Sequence, residues 1–302
     1  MKRPVRKIVS KINEPIEPRL IDIENKIDKM NNHILHLAEQ LKDLRHQTER
    51  IHEIAKADYD GVNRLTRQLA EIRLGPKYAK AFQGEPLISV RIATYNRADK
   101  LLDVAIPSVL AQTYKNFEII VVGDHCTDDT EERIKKLGDK RIQFYNLPSQ
   151  TAYDKDRVKK WRVIGVPPKI EAASRASGSW IATLDDDDML TPDHLEKLIK
   201  HAKTSGCELV YGAAAHHDLT TGKQKKLYSF PPERGQFTFN SAIYMKELDK
   251  VFKEDFKAWV LDEVYDWTMC RRMMEAGVRI SSIEDVVTQI DAIPVGHSMK
   301  DY

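Results

Sequence analysis

From Leu20 onward the chain places apolar side chains at Ile23, Ile27, Met30, Ile34, Leu37, Leu41 and Leu44, in alternating steps of three and four. That spacing lays a single apolar seam along a helix, the heptad pattern of a coiled coil. The register carries on through Ile51, Ala55, Val62, Leu65, Leu69 and Ile72, with Thr48 and Asp58 as polar members and Gly61 as a point where the helix can break. One helix, or two in line, is therefore predicted over 20–74. About 50 helical residues at ~1.5 Å each reach roughly 75 to 80 Å, against a diameter of about 45 Å for the ~215 residues that follow. Part of the seam would stay in water unless another copy covered it, so self-association is expected. A dimer is the first reading, with a trimer or tetramer as alternatives. Ile27 and Ile34 at one core position and Leu37 and Leu44 at the other favour two strands, whereas Met30, Leu41 and Thr48 blur the preference.

From Leu87 the pattern changes. Short β-branched or apolar runs at 87–94, 117–122, 142–146, 180–184 and 208–211 alternate with helical stretches at 101–112, 128–137, 169–177 and 192–204. Strands alternating with helices predict an α/β domain, its largely parallel sheet covered on both faces. Gly75, Pro76, Gly84 and Pro86 punctuate the change of regime. The expected division is a basic segment at 1–19, a coiled-coil helix at 20–74, a linker at 75–86 and the α/β domain at 87–302. In such sheets ligands bind beyond the carboxyl ends of the strands, which directs attention to the residues just after each one.

Charge narrows the partners. Lys+Arg 48 against Asp+Glu 46 leaves +2 over 302 residues, too balanced for a protein built to neutralise a run of phosphates, so no nucleic acid is expected. An anionic ligand would have to be met by a local site. No apolar run approaches the ~20 residues of a membrane span, and a secretory h-region is missing, which predicts a cytoplasmic protein. Within 1–12, Lys2, Arg3, Arg6, Lys7 and Lys11 interleave with Val5, Ile8, Val9 and Ile12. This segment reads either as a peripheral contact with the inner face of an anionic membrane or as a frayed, charged terminus. Cys126, Cys207 and Cys270 are odd in number and far apart, which supports neither a disulfide framework nor a cysteine zinc site.

The strongest chemical signal is Asp185-Asp186-Asp187-Asp188, directly after the run Trp180 to Leu184. Four adjacent carboxylates repel one another and stay ionised only if a cation or hydrogen-bond donors hold them. While the chain stays extended, Asp185 and Asp187 share one face, Asp186 and Asp188 the other. Hard carboxylate oxygens suit Mg²⁺ or Mn²⁺, an ion that keeps waters and binds substrate phosphates as well. An acidic turn capping the next helix is the bland alternative. Asp124, after the second strand, can accept an N–H from the edge of uracil, thymine or guanine.

Several segments together resemble a known family. Pro86-Leu-Ile-Ser-Val-Arg-Ile-Ala-Thr-Tyr-Asn-Arg97, Ser108-Val-Leu-Ala-Gln-Thr-Tyr114, Phe117-Glu-Ile-Ile-Val-Val122, Gly178 through Pro192, and Asp266-Trp-Thr-Met-Cys-Arg-Arg272 up to Gly277 are similar to family 2 nucleotide-sugar glycosyltransferases of the GT-A fold. The likeness runs from about Leu87 almost to the end and leaves the coil outside. It implies a metal-dependent, inverting transfer of a sugar from a nucleotide-sugar, UDP-type first, to an acceptor hydroxyl of a glycan, lipid-linked or protein acceptor. The commonest setting implied is bacterial-type polysaccharide or lipopolysaccharide assembly. By the same resemblance Thr94, Tyr95, Arg97, Asp124, Asp185 and Asp186 contact the nucleotide-sugar. Asp187, with Asp185, holds Mn²⁺ or Mg²⁺, His297 is a further candidate for metal or diphosphate, and Asp266 is the general base. Three positions depart from the family pattern. The usual D-D-G-S reads Gly123-Asp124-His125-Cys126, the acid commonly just before the catalytic aspartate is Tyr265, and the usual Arg-Asn before the metal-bearing strand is Lys169-Ile170. Asp262 and Glu263 are rival bases. Two rival functions stand beside the transferase: a sugar-phosphate nucleotidyltransferase, and a decayed catalytic domain that serves as a coiled-coil scaffold.

Overall fold

The structure, a computed structural model, describes residues 16–218 and 223–292. The basic segment 1–12 and His297 lie outside the described residues. The chain divides into two units, Met1–Gly61 and Val62–Tyr302. Helix α1 covers Ile16–Leu74, and Gly61 is helical rather than a break. In the first unit the seam is apolar and uncovered, from Leu20 at 52% exposed to Leu44 at 61%. Local support comes from pairs one turn apart, such as Lys26 with Asp22 at 2.5 Å.

In the second unit the seam behaves differently. Leu65 and Leu69 are buried in the core of the same chain, with Ile72 packed against it, so this stretch leaves no seam for another copy. The stretch 75–86 is not a free linker. It carries the short helix α2 (Pro76–Lys80), and the carbonyl of Ala81 accepts the indole N–H of buried Trp180 at 2.7 Å. Phe82 stands edge-on to that indole, ring centroids 5.6 Å apart. Arg73 donates from Nε and Nη2 to the fully buried Glu208, at 2.6 and 2.8 Å, while Tyr78 adds its hydroxyl at 2.8 Å. A buried carboxylate must be matched in this way, and the match ties the end of α1 to the domain.

The domain is built on a nine-stranded sheet ordered β3-β2-β1-β4-β8-β6-β9-β5, with β7 paired to β6. The strands are β1 (Ile88–Thr94), β2 (Phe117–Gly123), β3 (Ile142–Asn146), β4 (Trp180–Asp185), β5 (Met189–Leu190), β6 (Leu209–Asp218), β7 (Lys223–Leu227), β8 (Ala242–Met245) and β9 (Ile280–Ala292). The first four run parallel, as β1 with β2, β1 with β4 and β2 with β3. β8 runs antiparallel to β4 and β6, so the sheet is mixed. Helices α3 (Thr130–Leu137), α4 (Arg157–Val163), α5 (Val166–Arg175), α6 (His194–Ser205) and α7 (Tyr265–Glu275) accompany it. β2 is buried along its whole length, as expected of a strand covered on both faces.

Two buried polar groups stand out. Arg91, inside β1, is 1% exposed and would be costly alone. Glu254 receives its Nη2 at 2.9 Å and Thr183 its Nε at 2.9 Å. His194, at the start of α6, is fully buried. Its Nδ1 lies 2.9 Å from the Val287 carbonyl and must carry the proton, which leaves Nε2 buried with no partner among the described residues. Burial pushes the His194 imidazole down to about 4. A group neutral in the fold but titrating near 6.5 when unfolded contributes stability fully present above pH ~6.5 and lost as pH falls towards 4, at most about 3 kcal/mol. We expect His194→Gln to lose less unfolding free energy than wild type between pH 7 and pH 4.5 in urea titrations. Equal losses would show that His194 does not carry this dependence.

Candidate active site

β1 is followed in the chain by β2 on one side, while its other sheet neighbour is β4, so a crevice opens beyond their carboxyl ends. The turns after β1, β2 and β4 face this crevice, a cleft of about 420 Å³, within the range of small-molecule sites. Thr94, Tyr95, Arg97, Asp124, Asp185, Asp186 and Asp187 all line it. Asp266 is one residue beyond the lining Tyr265, in the first turn of α7.

The backbone is held tightly at the strand exits. Asn96 and His125 adopt left-handed φ of 49° and 63°, a conformation that asparagine tolerates better than most residues. Asn96 Oδ1 accepts from the Thr127 amide at 2.8 Å, joining the turns after β1 and β2. Gly123 is explained by close approach: a Cβ there would meet Asn146 Oδ1 at 2.7 Å and Cys126 Sγ at 2.8 Å. That space lets Asn146 accept from the Cys126 amide at 2.7 Å and donate to its carbonyl at 2.8 Å. Asp124 is 5% exposed. Its Oδ1 accepts from the Thr151 amide and hydroxyl at 2.9 and 2.6 Å, and its Oδ2 from the Tyr153 hydroxyl at 3.0 Å. A carboxylate has about four acceptor positions, so one remains for a ligand N–H.

The four aspartates do not alternate. β4 ends at Asp185, and the chain turns so that the Asp188 amide meets the Asp185 carbonyl at 3.2 Å. Extended pairing is thereby replaced by two other pairs. Arg97 spans Asp186 and Asp187, Nη1 to Oδ1 at 3.0 Å and Nη2 to Oδ2 at 2.8 Å. Asn240 Nδ2 donates to both Asp185, at 3.0 Å, and Asp188. Asp185 also takes Lys169 Nζ at 2.7 Å, and the same ammonium bonds the Tyr265 hydroxyl. Burial works against charge on Asp185, but Lys169, Asn240 and Arg97 together outweigh it and hold the carboxyl below its usual range. Burial pushes Asp186 up to about 7, with Arg97 opposing and Asp187 adding to the shift.

Asp266 accepts the Trp267 amide at 2.6 Å, and among the described residues it has no ion-pair partner. Burial raises its pKa, Lys169 opposes, and Asp185 adds to the rise. The rival carboxylates are already engaged. Glu263 is clamped by Arg271 Nε at 2.9 Å, and Asp262, largely exposed, pairs with Arg162 at 2.5 Å.

Among the described residues no group of three or more His, Cys, Asp or Glu is arranged to cage a metal. The donor set nevertheless fits a hard divalent ion held by few protein ligands. Asp187 presents a carboxylate at the cleft wall, Asp185 is part-exposed beside it, and remaining positions would be filled by water and phosphate oxygens. The sequence marks Lys169 only as a departure from the family pattern. Gln150, Tyr153, Lys160 and Lys169 all line the cleft, and the signal that marks Lys169 is its place on the helix leading into β4.

A crevice walled by carboxylates at the switch point of an α/β sheet defines a ligand-binding α/β protein, and comparison with known proteins makes this specific. The sequence matches the family Glycosyl transferase family 2 at residues 89–159 and 169–268, and the chain belongs to that family. An uncharacterised glycosyltransferase of Methanocaldococcus jannaschii is 32% identical over 168 residues, 54% of this chain and 52% of that protein. The succinoglycan biosynthesis protein ExoO of Rhizobium meliloti is 32% identical over 125 residues, 41% of this chain and 32% of that protein. The chain thus spans about half the length of the first of these relatives and less of the second. Among solved structures, S. aureus TarS in complex with UDP-GlcNAc aligns with TM-score 0.55 at 18% identity, covering 71% of this chain and 61% of that one. The mannosyltransferase PcManGT of Pyrobaculum calidifontis, in complex with GDP-Man and Mn²⁺, aligns with TM-score 0.51 at 14% identity over 78% and 70%. At such identities the likeness is one of fold, an α/β fold of the GT-A type preceded here by a long helix.

Proposed function

We infer that this glycosyltransferase is metal-dependent and inverting, moving a sugar from a UDP-type donor to an acceptor hydroxyl. The observation that carries this reading is the convergence of Asp124, Asp185, Asp186 and Asp187 on one cleft, with Asp266 at its edge. Family membership favours it over the nucleotidyltransferase and scaffold rivals. Structural neighbours hold UDP-GlcNAc, or GDP-Man with Mn²⁺. The relative named for succinoglycan biosynthesis is in keeping with a role in polysaccharide assembly.

In this reading Asp124 accepts the ring N–H of the base beside Tyr95. Asp187 and Asp185 would hold Mn²⁺ or Mg²⁺, which would supply positive charge to offset that of the departing diphosphate. Lys169 keeps Asp185 ionised for that task. An acceptor hydroxyl is a poor nucleophile at neutral pH, so Asp266 takes its proton as it attacks C1 from the face opposite the diphosphate, and C1 inverts. The raised pKa of Asp266 suits a base, since it strengthens the carboxylate's hold on a proton. Among the described residues no helix is long and apolar enough to cross a membrane. Contact of 1–12 with a membrane surface remains part of the proposal.

The uncovered seam supports self-association. Ile23, Ile27, Met30, Ile34, Leu37, Leu41 and Leu44 are 44–67% exposed on α1, and packing against a second copy, knob into hole, would remove them from water.

Three measurements test these statements. Isothermal titration of UDP with Mn²⁺ present should give binding by wild type and a large loss in Asp187→Ala; no heat with wild type, or unchanged affinity in the variant, counts against the site. Asp266→Asn should keep donor binding and lose transfer by ~10²-fold or more, the lower range for a general base, whereas retained turnover moves the base to Asp262 or Glu263. Light scattering after size exclusion should report an oligomer that Ile27→Ser/Ile34→Ser/Leu41→Ser converts to monomer with UDP binding intact. A monomeric wild type sinks the coil proposal alone.

A further inference from the structure

Asp185, Asp186 and Asp187 already have cationic partners, and one of these stands where an ion would. Arg97 holds Asp187 Oδ2 with one nitrogen and Asp186 Oδ1 with the other. Its backbone is anchored by the neighbouring Asn96, whose side chain bonds the Thr127 amide, but its guanidinium is 24% exposed and lines the cleft. When Arg97 leaves, Asp186 keeps the Thr94 hydroxyl at 2.7 Å, and Asp185 keeps Lys169 and Asn240. Asp187 is different, because among the described residues Arg97 is the side chain that bonds it.

Resting on the metal-dependent nucleotide-sugar reading above, we propose that Arg97 is an exchange cation. With no donor bound it neutralises Asp186 and Asp187. When a divalent ion enters together with a nucleoside diphosphate, Arg97 releases Asp187 to the ion and bonds the diphosphate. Three physical facts converge on this. A guanidinium and a divalent ion compete for the same carboxylate oxygen, and Arg97 occupies Asp187 Oδ2. The planar fork that fits two carboxylates fits phosphate oxygens equally well. The released guanidinium needs an anion, and the diphosphate is the anion that arrives with the ion.

Metal and nucleotide are then bound cooperatively, since each pays for displacing Arg97 more easily when the other is present, and the coupling must be reciprocal. The ion alone binds weakly because it must first displace Arg97 from Asp187. Removing the guanidinium should separate the two ligands in opposite directions.

The test measures Mn²⁺ binding without nucleotide, by the loss of the free-ion electron paramagnetic resonance signal, in wild type, Arg97→Met and Arg97→Gln. UDP affinity at saturating Mn²⁺ is measured in the same three proteins by calorimetry, and circular dichroism checks that each is folded. Both variants should bind Mn²⁺ alone about tenfold more tightly and UDP with Mn²⁺ about tenfold more weakly, the scale of one charge-assisted hydrogen bond. Adding Asp187→Asn to Arg97→Met should abolish the gain in Mn²⁺ affinity. If wild type binds UDP with Mn²⁺ but the Arg97 variants bind Mn²⁺ no more tightly, or bind UDP undiminished, the exchange is overturned and the reading beneath it stands. If wild type itself does not bind UDP with Mn²⁺, both fall.

Discussion

Four consecutive carboxylates at the end of one strand are the constraint on which the cleft depends. Left in a part-buried site without partners, most would take up protons rather than stay charged. Compensation comes from three separate pieces of chain: Arg97 from the turn after β1, Lys169 from α5, and Asn240 from the stretch before β8. Each can reach only because β1, β4 and β8 are neighbours in the sheet. The electrostatic requirement of the site is thus also a requirement on strand order. A fold that exchanged these neighbours would leave the carboxylates unmatched.

The same logic extends below the cleft. Arg91 points from the centre of β1 into the core, where Glu254 matches its charge. Its Nη1 also donates to the Lys169 carbonyl at 3.3 Å. Lys169 is therefore fixed at its backbone by a buried ion pair and at its ammonium by Asp185 and Tyr265. A lysine with free rotamers would neutralise Asp185 only part of the time, whereas one held at both ends does so continuously. This is how packing far from solvent sets the charge state at the cleft wall.

Much of this was legible in the chain. The short β-branched and apolar runs located β1 to β4 within a residue or so, because strands buried on both faces need continuous apolar stretches. The aspartates were legible because their type and strand-end position are chemical in themselves. Harder to read was whatever depends on contact between distant segments. Leu65 and Leu69 continue the same heptad register as Ile27 and Ile34, yet the former pair is buried by its own domain and the latter exposed in the chain. Periodicity states that a face is apolar and leaves open what covers it. The stretch 150–153 shows the converse: Thr151 and Tyr153 have no pattern along the chain, but both bond Asp124 once the loop folds over it. Arg91 inside an apolar run gave no hint of Glu254, which lies 163 residues away.

Two of the departures from the family pattern turn out to be a single contact. Lys169 replaces the usual arginine and Tyr265 the usual acid, and in space the lysine ammonium bonds the tyrosine hydroxyl and lies 4.8 Å from its ring centroid. An acid at 265 would add another carboxylate close to Asp185 and Asp266, with one compact ammonium to serve all three, and the repulsion would favour protonating one of them. Tyrosine removes that burden: its hydroxyl stays neutral because burial pushes its pKa up, and its oxygen still bonds the ammonium. Lysine in turn gives a point charge small enough to sit between Asp185 and that hydroxyl, where a planar guanidinium would need a wider space. Each substitution is intelligible given the other, so the pair is a compensated exchange that keeps Asp185 ionised rather than two independent losses.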